Sequence, residues 1–266
     1  MKRLNIKETW PDTWKYSYPY DLQEIWGEIQ HRGYAYAYAA RRQKTLDLLY
    51  EVVPKGAAVL DVAAAQGNFS LALAEAGYKV TWNDLREDLV EYVRQKHEYG
   101  IIEFAPGNVF ELGFSEKFDC ALITEIIEHV AHPDDFLRKV SAMVKPGGYI
   151  VMSTPNGAYF RNGLPRFSEC PDPSHFEAVQ FKPNSDGHIF LLWPDEVDQL
   201  ALQSGLILEK HIMFTNPLTA GHLKLEMMLK VLPRSIVDSV ERLTQLMPAG
   251  VRKKITTSSA SRFRKN

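Results

Sequence analysis

The stretch AAVLDVAAAQGNFSLALAEAG, residues 57–77, decides the fold. Its first seven residues form a short apolar run that is typical of a buried strand. A turn of small residues follows, and NFSLALAEAG, residues 68–77, is predicted to be a helix. Small residues at such a turn let the backbone approach a ligand, and the start of the helix offers unpaired N–H groups. The stretch therefore predicts the strand–turn–helix unit that opens a nucleotide-binding domain.

Similar units follow along the chain. Five more runs are predicted to be strands, at residues 78–84, 101–108, 118–125, 149–155 and, as the last strand, 206–214. Helices are predicted at residues 22–30, 39–50, 85–97, 134–144 and 194–205. The sequence PGG at 146–148 is expected to break the chain before the fifth strand. Repeated β–α–β units predict an α/β fold with a doubly wound, parallel sheet and right-handed crossovers.

Composition excludes several classes of protein. The chain has 266 residues, of which 45% are hydrophobic and 24% charged, so the bulk of it is not disordered. Its two cysteines make neither a disulfide framework nor a cysteine-based zinc site. There is no apolar stretch of roughly 20 residues and no apolar core to a secretory signal at the start. We therefore expect a cytoplasmic protein.

We divide the chain into three parts. Residues 1–55 form an aromatic-rich N-terminal segment, residues 56–215 the main domain, and residues 216–266 a helical extension with a basic tail. Within the main domain, residues 158–187 form a long connection rich in Pro, Asn, Ser and Asp.

The N-terminal segment concentrates aromatic side chains. Residues 10–38 hold nine of the thirty aromatics, without a clean period. Two interpretations are open. These side chains pack the segment onto the main domain, or they form a lid over an organic substrate, because Tyr and Trp combine apolar area with a polar tip.

The C-terminal part is basic. Residues 222–266 carry a net charge of +7, whereas the rest of the chain carries −9. Ile236, Val240, Leu243 and Met247 form an apolar stripe at helical spacing, which predicts packing onto the main domain. The alternative is peripheral contact with a membrane surface. It would be aided by the basic residues Arg252, Lys253, Lys254, Arg262, Arg264 and Lys265.

Acidic and histidine residues stand where strands of the sheet end, which is where ligands bind in such folds. Asp84 ends the second strand, and its carboxylate suits a ribose diol. The sequence EIIEH places Glu125, Glu128 and His129 after the fourth strand. If a helical turn starts there, the three side chains share one face and would suit a metal ion. The structural alternative is that the glutamates cap backbone groups and His129 packs in the core.

The sequence resembles the class I S-adenosylmethionine-dependent methyltransferases over residues 56–214. The matching stretches are VLDVAAAQGNF, VTWND, APGNVFEL, FDCALITEIIEHVAHPDDFL and VKPGGYIVMSTPNG. The resemblance is closest to the branch of ubiquinone-biosynthesis O-methyltransferases and small-RNA 2′-O-methyltransferases. It implies a mostly parallel, seven-stranded sheet of the Rossmann-like methyltransferase type.

The resemblance also implies site residues. Ala63, Ala65 and Gly67 would hold the methionine part of the cofactor, Asp84 its ribose, and Asn108 with Val109 its adenine. The full implied cofactor set is Asp61, Ala63, Ala65, Gly67, Asp84, Asn108, Val109 and Glu125. The family usually has glycine at the positions of Ala63 and Ala65; alanine is tolerated there if its φ is negative and the ligand has room for one methyl group. It also usually has an acid at the position of Asn108.

Metal-dependent members of this branch have the same E-x-x-E-H pattern and a further histidine. His188 matches that ligand, so the implied metal set is Glu125, Glu128, His129 and His188. Relatives without shown metal dependence carry the pattern too, and both alternatives stay open.

We conclude from the sequence that this is a methyltransferase for a hydroxyl of a small organic molecule. The hydroxyl must lose its proton near the moment of attack, so His129, Glu125 and Glu128 are the candidate catalytic residues. His129 would act as a base, or the metal set would hold Mg²⁺, Mn²⁺ or Zn²⁺. Residues 10–38, 158–187 and 216–232 would build the acceptor pocket.

Three alternatives remain open: an N-methyltransferase, an RNA 3′-end 2′-O-methyltransferase, and a non-catalytic cofactor-binding protein. The basic tail favours RNA, and the acidic remainder of the chain opposes it. No motif predicts a DNA partner, and the sequence does not predict an oligomeric state.

Overall fold

The computed structural model of the protein describes residues 1–28, 30–175 and 187–266. The fold is of the α/β class, with one β-sheet that has helices on both faces. The strands are β1 (Ala58–Val62), β2 (Lys79–Trp82), β3 (Ile101–Phe104), β4 (Phe118–Thr124), β5 (Val144–Pro155), β6 (Leu206–Phe214) and β7 (Ser258–Lys265). The helices are α1 (Asp12–Glu24), α2 (Arg32–Tyr50), α3 (Asn68–Glu75), α4 (Leu89–Lys96), α5 (Pro133–Met143), α6 (Pro194–Gln203), α7 (Glu226–Leu229), α8 (Arg234–Gln245) and α9 (Ala249–Ile255). Part of the predicted connection, residues 176–186, lies outside the described residues.

The seven strands form one sheet in the order β3-β2-β1-β4-β5-β7-β6. Neighbouring strands from β3 to β5 are parallel, whereas β7 pairs antiparallel with both β5 and β6. The predicted doubly wound, mostly parallel seven-stranded sheet is confirmed. Because the parallel strands all run the same way, the carboxyl ends of β1, β2 and β4 meet at one edge.

Two apolar cores bury the faces of the sheet. On one face, Leu49 of α2 and Leu73 of α3 pack against buried strand residues such as Val59. On the other face, Leu137 of α5 and Leu200 of α6 pack against further strand residues. The strands are therefore covered on both sides, as near-continuous apolar runs require.

Strand β7 corrects the prediction for the C-terminal part. Residues 216–266 were expected to be helical, and 206–214 to be the last strand. Phe263 instead lies opposite Ile150 of β5 and Leu208 of β6, and its side chain is fully buried. The sheet thus extends past the predicted boundary at 215. The prediction failed because SSASRFRK has few apolar residues, and its place in the sheet is set by its neighbours.

The first two helices also differ from the prediction. Helix α1 occupies Asp12–Glu24 rather than 22–30, and α2 begins at Arg32 rather than at 39. The early start of α2 has a tertiary cause. The Glu226 carboxylate accepts hydrogen bonds from the backbone N–H groups of Arg32 and Gly33, at 2.7 and 2.8 Å. These donors lack partners within the helix, so a distant residue caps it.

Three aromatics of the N-terminal segment, in and just before α1, lie on one side of the chain. Trp10, Trp14 and Tyr18 are spaced four apart and all are buried. Trp10 and Trp14 pack against Tyr92 of α4, with ring centroids 5.9 and 5.5 Å apart. The packing interpretation is therefore correct for this part of the segment.

Strand β5 starts earlier than predicted, at Val144, and continues through PGG. The register between β4 and β5 shifts between Phe118 and Cys120. Gly147 adopts a φ of 75°. This irregularity lets the strand continue where a break was expected.

The apolar stripe of α8 does not pack as predicted. Val237 and Thr244 are the buried residues of α8, whereas Ile236 and Leu243 are 45% and 61% exposed. The helix is turned this way because the Glu241 carboxylate accepts hydrogen bonds from the backbone of the 215–216 segment. Among the described residues, no helix is long and apolar enough to cross a membrane.

Candidate active site

A cavity of about 550 Å³ opens at the carboxyl ends of β1, β2 and β4. Three chain segments at this edge contribute to its lining: the turn after β1, the loop after β2 and the segment after β4. Helices α1 and α2 add Glu24, Tyr38 and Arg41. The volume suits a drug-sized or nucleotide-sized ligand.

The turn after β1 is strained. Ala63 and Ala65 have φ angles of 50° and 49°, in the left-handed region, and Gly67 has 73°. The negative φ that would let alanine replace glycine without strain is therefore not adopted at either position. Each left-handed alanine costs about 1–2 kcal/mol, and such strain is typical of ligand-binding segments.

Four hydrogen bonds hold this turn against the rest of the site. The Trp82 indole N–H donates to the Ala65 carbonyl at 3.1 Å, and the buried Lys96 Nζ donates to the Gln66 carbonyl at 2.8 Å. Ala64 N donates to the Asn83 carbonyl at 2.7 Å, and Ala65 N to Asp84 Oδ2 at 2.8 Å. The turn is thereby fixed in its left-handed form, with Ala63 and Ala65 at the cavity wall.

Asp61 lies behind this turn, fully buried. Its Oδ2 accepts a hydrogen bond of 2.5 Å from the Ser70 hydroxyl, and Oδ1 has no partner among the described residues. Burial raises the pKa of Asp61 to about 7, helped by the nearby charge of Asp84. It is not among the described residues that line the cavity, so its cofactor role stays a prediction.

Asp84 lines the cavity, as a ribose-binding residue must, but it already has partners. Its Oδ1 accepts from Arg86 N and Nε at 2.9 and 3.0 Å, and its Oδ2 from Arg86 Nη2 at 3.2 Å. With the bond from Ala65 N, each carboxylate oxygen accepts two hydrogen bonds. A diol would therefore have to displace the Arg86 guanidinium.

Asn108 and Val109 are not among the described residues that line this cavity. The Asn108 side chain accepts from Phe110 N and donates to Glu111, and Val109 is buried in the core. Their predicted contact with adenine gains no support from this geometry.

The segment after β4 corrects the predicted helical face. Glu125 has a left-handed φ of 54°, and only Ile127–His129 form a single 3₁₀ turn. Glu125 therefore separates from the other two predicted residues. Its carboxylate accepts from Arg41 Nη1 and from the Ser153 hydroxyl, both at 2.9 Å, and it lines the cavity.

Glu128, His129 and His188 do come together. One potential ligand atom of each lies within 4.8 Å of the others. Glu128 is fully buried, and burial together with the Glu125 charge raises its pKa well above the ordinary value. Its Oε2 accepts from the Thr154 hydroxyl at 3.0 Å, whereas Oε1 has no hydrogen-bond partner among the described residues.

The tautomer of His129 follows from one bond. His129 Nδ1 lies 3.0 Å from the Gly187 carbonyl oxygen, which can only accept, so Nδ1 carries a proton. In the neutral ring, Nε2 then has the lone pair. His129 lines the cavity, and a ring nitrogen that keeps its lone pair is what a general base requires.

A second cavity of about 500 Å³ lies on the other side of this histidine pair. The rings of His129 and His188 meet edge to face, with centroids 4.8 Å apart. His129 lines the first cavity and His188 the second. Tyr159, Arg161 and His222 also line the second cavity, whose described lining contains no acidic residue.

Residues 10–38 were predicted to wall a pocket, and Tyr38 does line the cavity, but the polar groups of Glu24 and Arg41 were not singled out. Glu24 accepts hydrogen bonds from Asn68 and Tyr34, and burial raises its pKa. Arg41 stacks 5.2 Å from the Tyr38 ring. The only signal in the sequence was the aromatic run, which pointed to a lid but to none of these polar groups.

Comparisons with known proteins bear on the family and the fold of the chain. The family model described as a methyltransferase domain matches residues 30–211. The ubiquinone biosynthesis O-methyltransferase of Bordetella avium is 37% identical over 106 residues, 38% of this chain and 44% of that protein. The enzyme of the same name from Hydrogenovibrio crunogenus is 29% identical over 160 residues, 57% of this chain and 63% of that protein. The matches thus span about half of these relatives.

Solved structures show the same fold. A putative sarcosine dimethylglycine methyltransferase from Galdieria sulphuraria superposes with a TM-score of 0.59, covering 96% of this chain and 99% of that one. The sequence identity is 14%. The family model covers more than half of the chain, and the edge of the sheet that binds ligands carries the cavity. The chain belongs to the methyltransferase domain family, within the class I S-adenosylmethionine-dependent methyltransferases.

Proposed function

We propose that this chain methylates a hydroxyl of a small organic molecule, with His129 as the general base. The observation that carries the proposal is the bond from His129 Nδ1 to the Gly187 carbonyl, because it leaves the Nε2 lone pair for the acceptor proton. The names of the relatives in ubiquinone biosynthesis support transfer to oxygen.

The first cavity fits S-adenosylmethionine by the chemistry of its lining. Asp84 offers a carboxylate for the ribose hydroxyls, and Arg41 offers a cation for the methionine carboxylate. When bound, S-adenosylmethionine supplies a methyl group on a sulfonium, which is an electrophile.

The second cavity suits the acceptor. It adjoins the first at the histidine pair, and the acceptor hydroxyl would have to extend past that pair into the first cavity, beside His129, because in-line transfer needs the oxygen about 3 Å from the methyl carbon. His129 Nε2 would accept the hydroxyl proton as the oxygen–methyl bond forms and the sulfonium–methyl bond breaks, so that S-adenosylhomocysteine leaves as the neutral thioether and the proton passes to solvent. The chain mainly aligns donor and acceptor, since holding reactants in place supplies much of the rate.

A second candidate is metal assistance. Glu128, His129 and His188 provide one oxygen and two nitrogen donors, which fit Zn²⁺ or Mn²⁺. Two ligands of a tetrahedral Zn²⁺ lie about 3.4 Å apart, so the three would have to approach one another. Glu125 is engaged by Arg41 instead. A bound cation would lower the pKa of the acceptor hydroxyl.

The experiment is a methyl-transfer assay with a panel of phenols and alcohols, with product mass as the readout. We expect a methyl ether and a loss of 10²–10⁴-fold in kcat for His129→Gln, roughly the contribution of a general base. His132→Gln, three residues away, is the matched control. Methylation of amines alone would establish N-methylation, and of RNA 3′ ends the RNA reaction. Cofactor binding without turnover on any panel would establish a non-catalytic protein.

A further inference from the structure

The segment that contains α7, α8 and α9 exposes an unusual amount of apolar surface. Residues 223–251 hold nine of the nineteen large hydrophobic side chains that are exposed among the described residues. They include Met227, Val231, Ile236, Leu243, Leu246 and Val251. Exposed hydrophobics scattered singly are normal, but a concentration of this kind marks an interaction surface. We refer to the exposed side of residues 223–254 as the tail surface.

The arrangement on α8 is amphipathic. Val237 and Thr244 are spaced seven apart and face the domain, and Ile236 and Leu243 have the same spacing and are exposed. The apolar band of α8 is therefore wider than the domain covers. Val231 and Leu246, at the two ends of α8, are each 81% exposed.

The acidic side chains of this segment all have hydrogen-bond or ion-pair partners. Its two glutamates point inward: Glu226 caps α2, and Glu241 accepts from Thr215 N and Asn216 N. The remaining acid, Asp238, pairs with Arg234. With its acids occupied, the tail surface keeps an excess of positive charge.

Most cations of the tail surface have no acidic partner among the described residues. In the part of the chain that the structure describes, ion pairs of this segment are limited to Arg234 with Asp238. The basic residues outside that pair are Lys224, Lys230, Arg242, Arg252, Lys253 and Lys254. An exposed apolar band flanked by unpaired cations fits an anionic lipid surface.

The extreme C-terminus does not contribute, contrary to the expectation from its composition. Arg262 pairs with Glu51 and Glu209, Arg264 with Glu209, and Lys265 with Glu116. These cations belong to β7 and are matched within the sheet. The same pairing occupies three of the ten basic residues of the tail that favoured RNA.

A second copy of the chain is a poorer occupant. A two-fold interface would place the same patch on both partners, so the unpaired cations would face each other. Like charges across an interface oppose binding, whereas an anionic bilayer neutralises them. We propose that the tail surface docks this protein peripherally on anionic lipid membranes. The proposal is independent of the methyl acceptor.

The experiment is sedimentation of the full chain with phosphatidylcholine vesicles that contain or lack phosphatidylglycerol. We expect binding to the anionic vesicles only, weakened by high salt. The variant L243E/L246E should weaken binding at least tenfold, and so should K253E/K254E, since each basic residue near the surface contributes. The matched controls are L202E, because Leu202 is 80% exposed on α6, and K44E/K55E.

Each outcome decides the matter. Circular dichroism and cofactor affinity confirm that the variants are folded. No binding of the wild-type protein to anionic vesicles overturns the proposal, and so does an equal loss in L202E. A concentration-dependent dimer that L243E/L246E abolishes, without vesicle binding, identifies a second copy as the occupant and also overturns it. Failure here leaves the proposed methyl transfer untouched, because the assay with soluble acceptors does not use vesicles.

Discussion

Arg41 Nη1 donates a hydrogen bond of 2.9 Å to Glu125 Oε2, and this ion pair joins helix α2 to the end of strand β4. Both side chains are largely buried at the wall of the first cavity. The N-terminal segment is thus part of the site and does more than cover it. We infer that Arg41 exchanges Glu125 for the methionine carboxylate when S-adenosylmethionine binds.

The first prediction tests that exchange. Arg41→Ala should weaken binding of S-adenosylmethionine at least tenfold, because a hydrogen bond to a charged group contributes about 1.5–3 kcal/mol. Binding of 5′-methylthioadenosine, which has no carboxylate, should change far less. Calorimetry with both ligands measures the difference, and Lys44→Ala, exposed on the same helix, is the control. An equal loss for both ligands would show that Arg41 acts only on the fold.

A second prediction concerns Asp84. Asp84→Ala should weaken S-adenosylmethionine binding at least tenfold, since two charge-assisted bonds to a diol contribute on the order of 2–4 kcal/mol together. Glu87→Ala, exposed in the same loop, is the control. Near-wild-type affinity, with the fold intact by circular dichroism, would place the ribose elsewhere.

For Arg86, we expect the opposite effect of substitution on S-adenosylmethionine binding. Its guanidinium occupies Asp84 oxygens that the ribose would use. Arg86→Ala should therefore tighten S-adenosylmethionine binding, by up to about tenfold if one charged hydrogen bond no longer has to be broken. Calorimetry at low and high salt measures it. Weaker binding would mean that Arg86 itself contacts the cofactor.

The fold was predictable because apolar runs and turn residues are local signals. The small-residue turn at 63–67, strands β1 to β4 and strand β6 were predictable from their own sequence, whereas the early start of β5 was not. Strand β7 was not predictable, because Arg262 gains its place from Glu51 and Glu209, which are distant in sequence. The start of α2 depends in the same way on Glu226.

The positions of site residues could be predicted only where the end of a strand determines them. Asp84 and Glu125 line the cavity because they end or follow strands. The helical face through Glu125 and Glu128 failed because the left-handed φ of Glu125 turns its side chain away from the next residues. A left-handed φ cannot be predicted at a glutamate from the sequence, because glutamate rarely adopts that conformation.

A fourth prediction follows from the raised pKa of Asp61, about 7 instead of 3.8. The folded state holds this proton more tightly than the unfolded state, so Asp61 makes stability fall as pH rises from about 4 to 7. The difference corresponds to about 4 kcal/mol. Asp61→Asn removes the effect. The free energy of unfolding is measured in urea, without ligand, for the variant and for wild type. The difference, variant minus wild type, should increase as the pH is raised from 5 to 8. A difference that does not change with pH would contradict the assignment.

The final prediction separates the base from the metal. Burial and the Glu125 charge raise the pKa of Glu128, which favours its neutral, protonated form. Glutamine has the same shape as a protonated glutamate and can still accept from the Thr154 hydroxyl. If His129 works as a base without a cation, Glu128→Gln should retain kcat and KM close to wild type.

A metal ligand behaves differently, because a cation needs the ionised carboxylate and an amide carries no charge. Loss of turnover in Glu128→Gln with unchanged S-adenosylmethionine affinity would therefore favour the cation. Thr154→Val is the control for the hydrogen bond alone. Elemental analysis and chelator treatment of the wild-type protein complete the test, since His129→Gln is inactive under both accounts. Full activity after chelation, with no metal detected and an active Glu128→Gln variant, would assign the proton transfer to His129. Inactivation by the chelator that is reversed by added Zn²⁺ or Mn²⁺ would contradict that assignment.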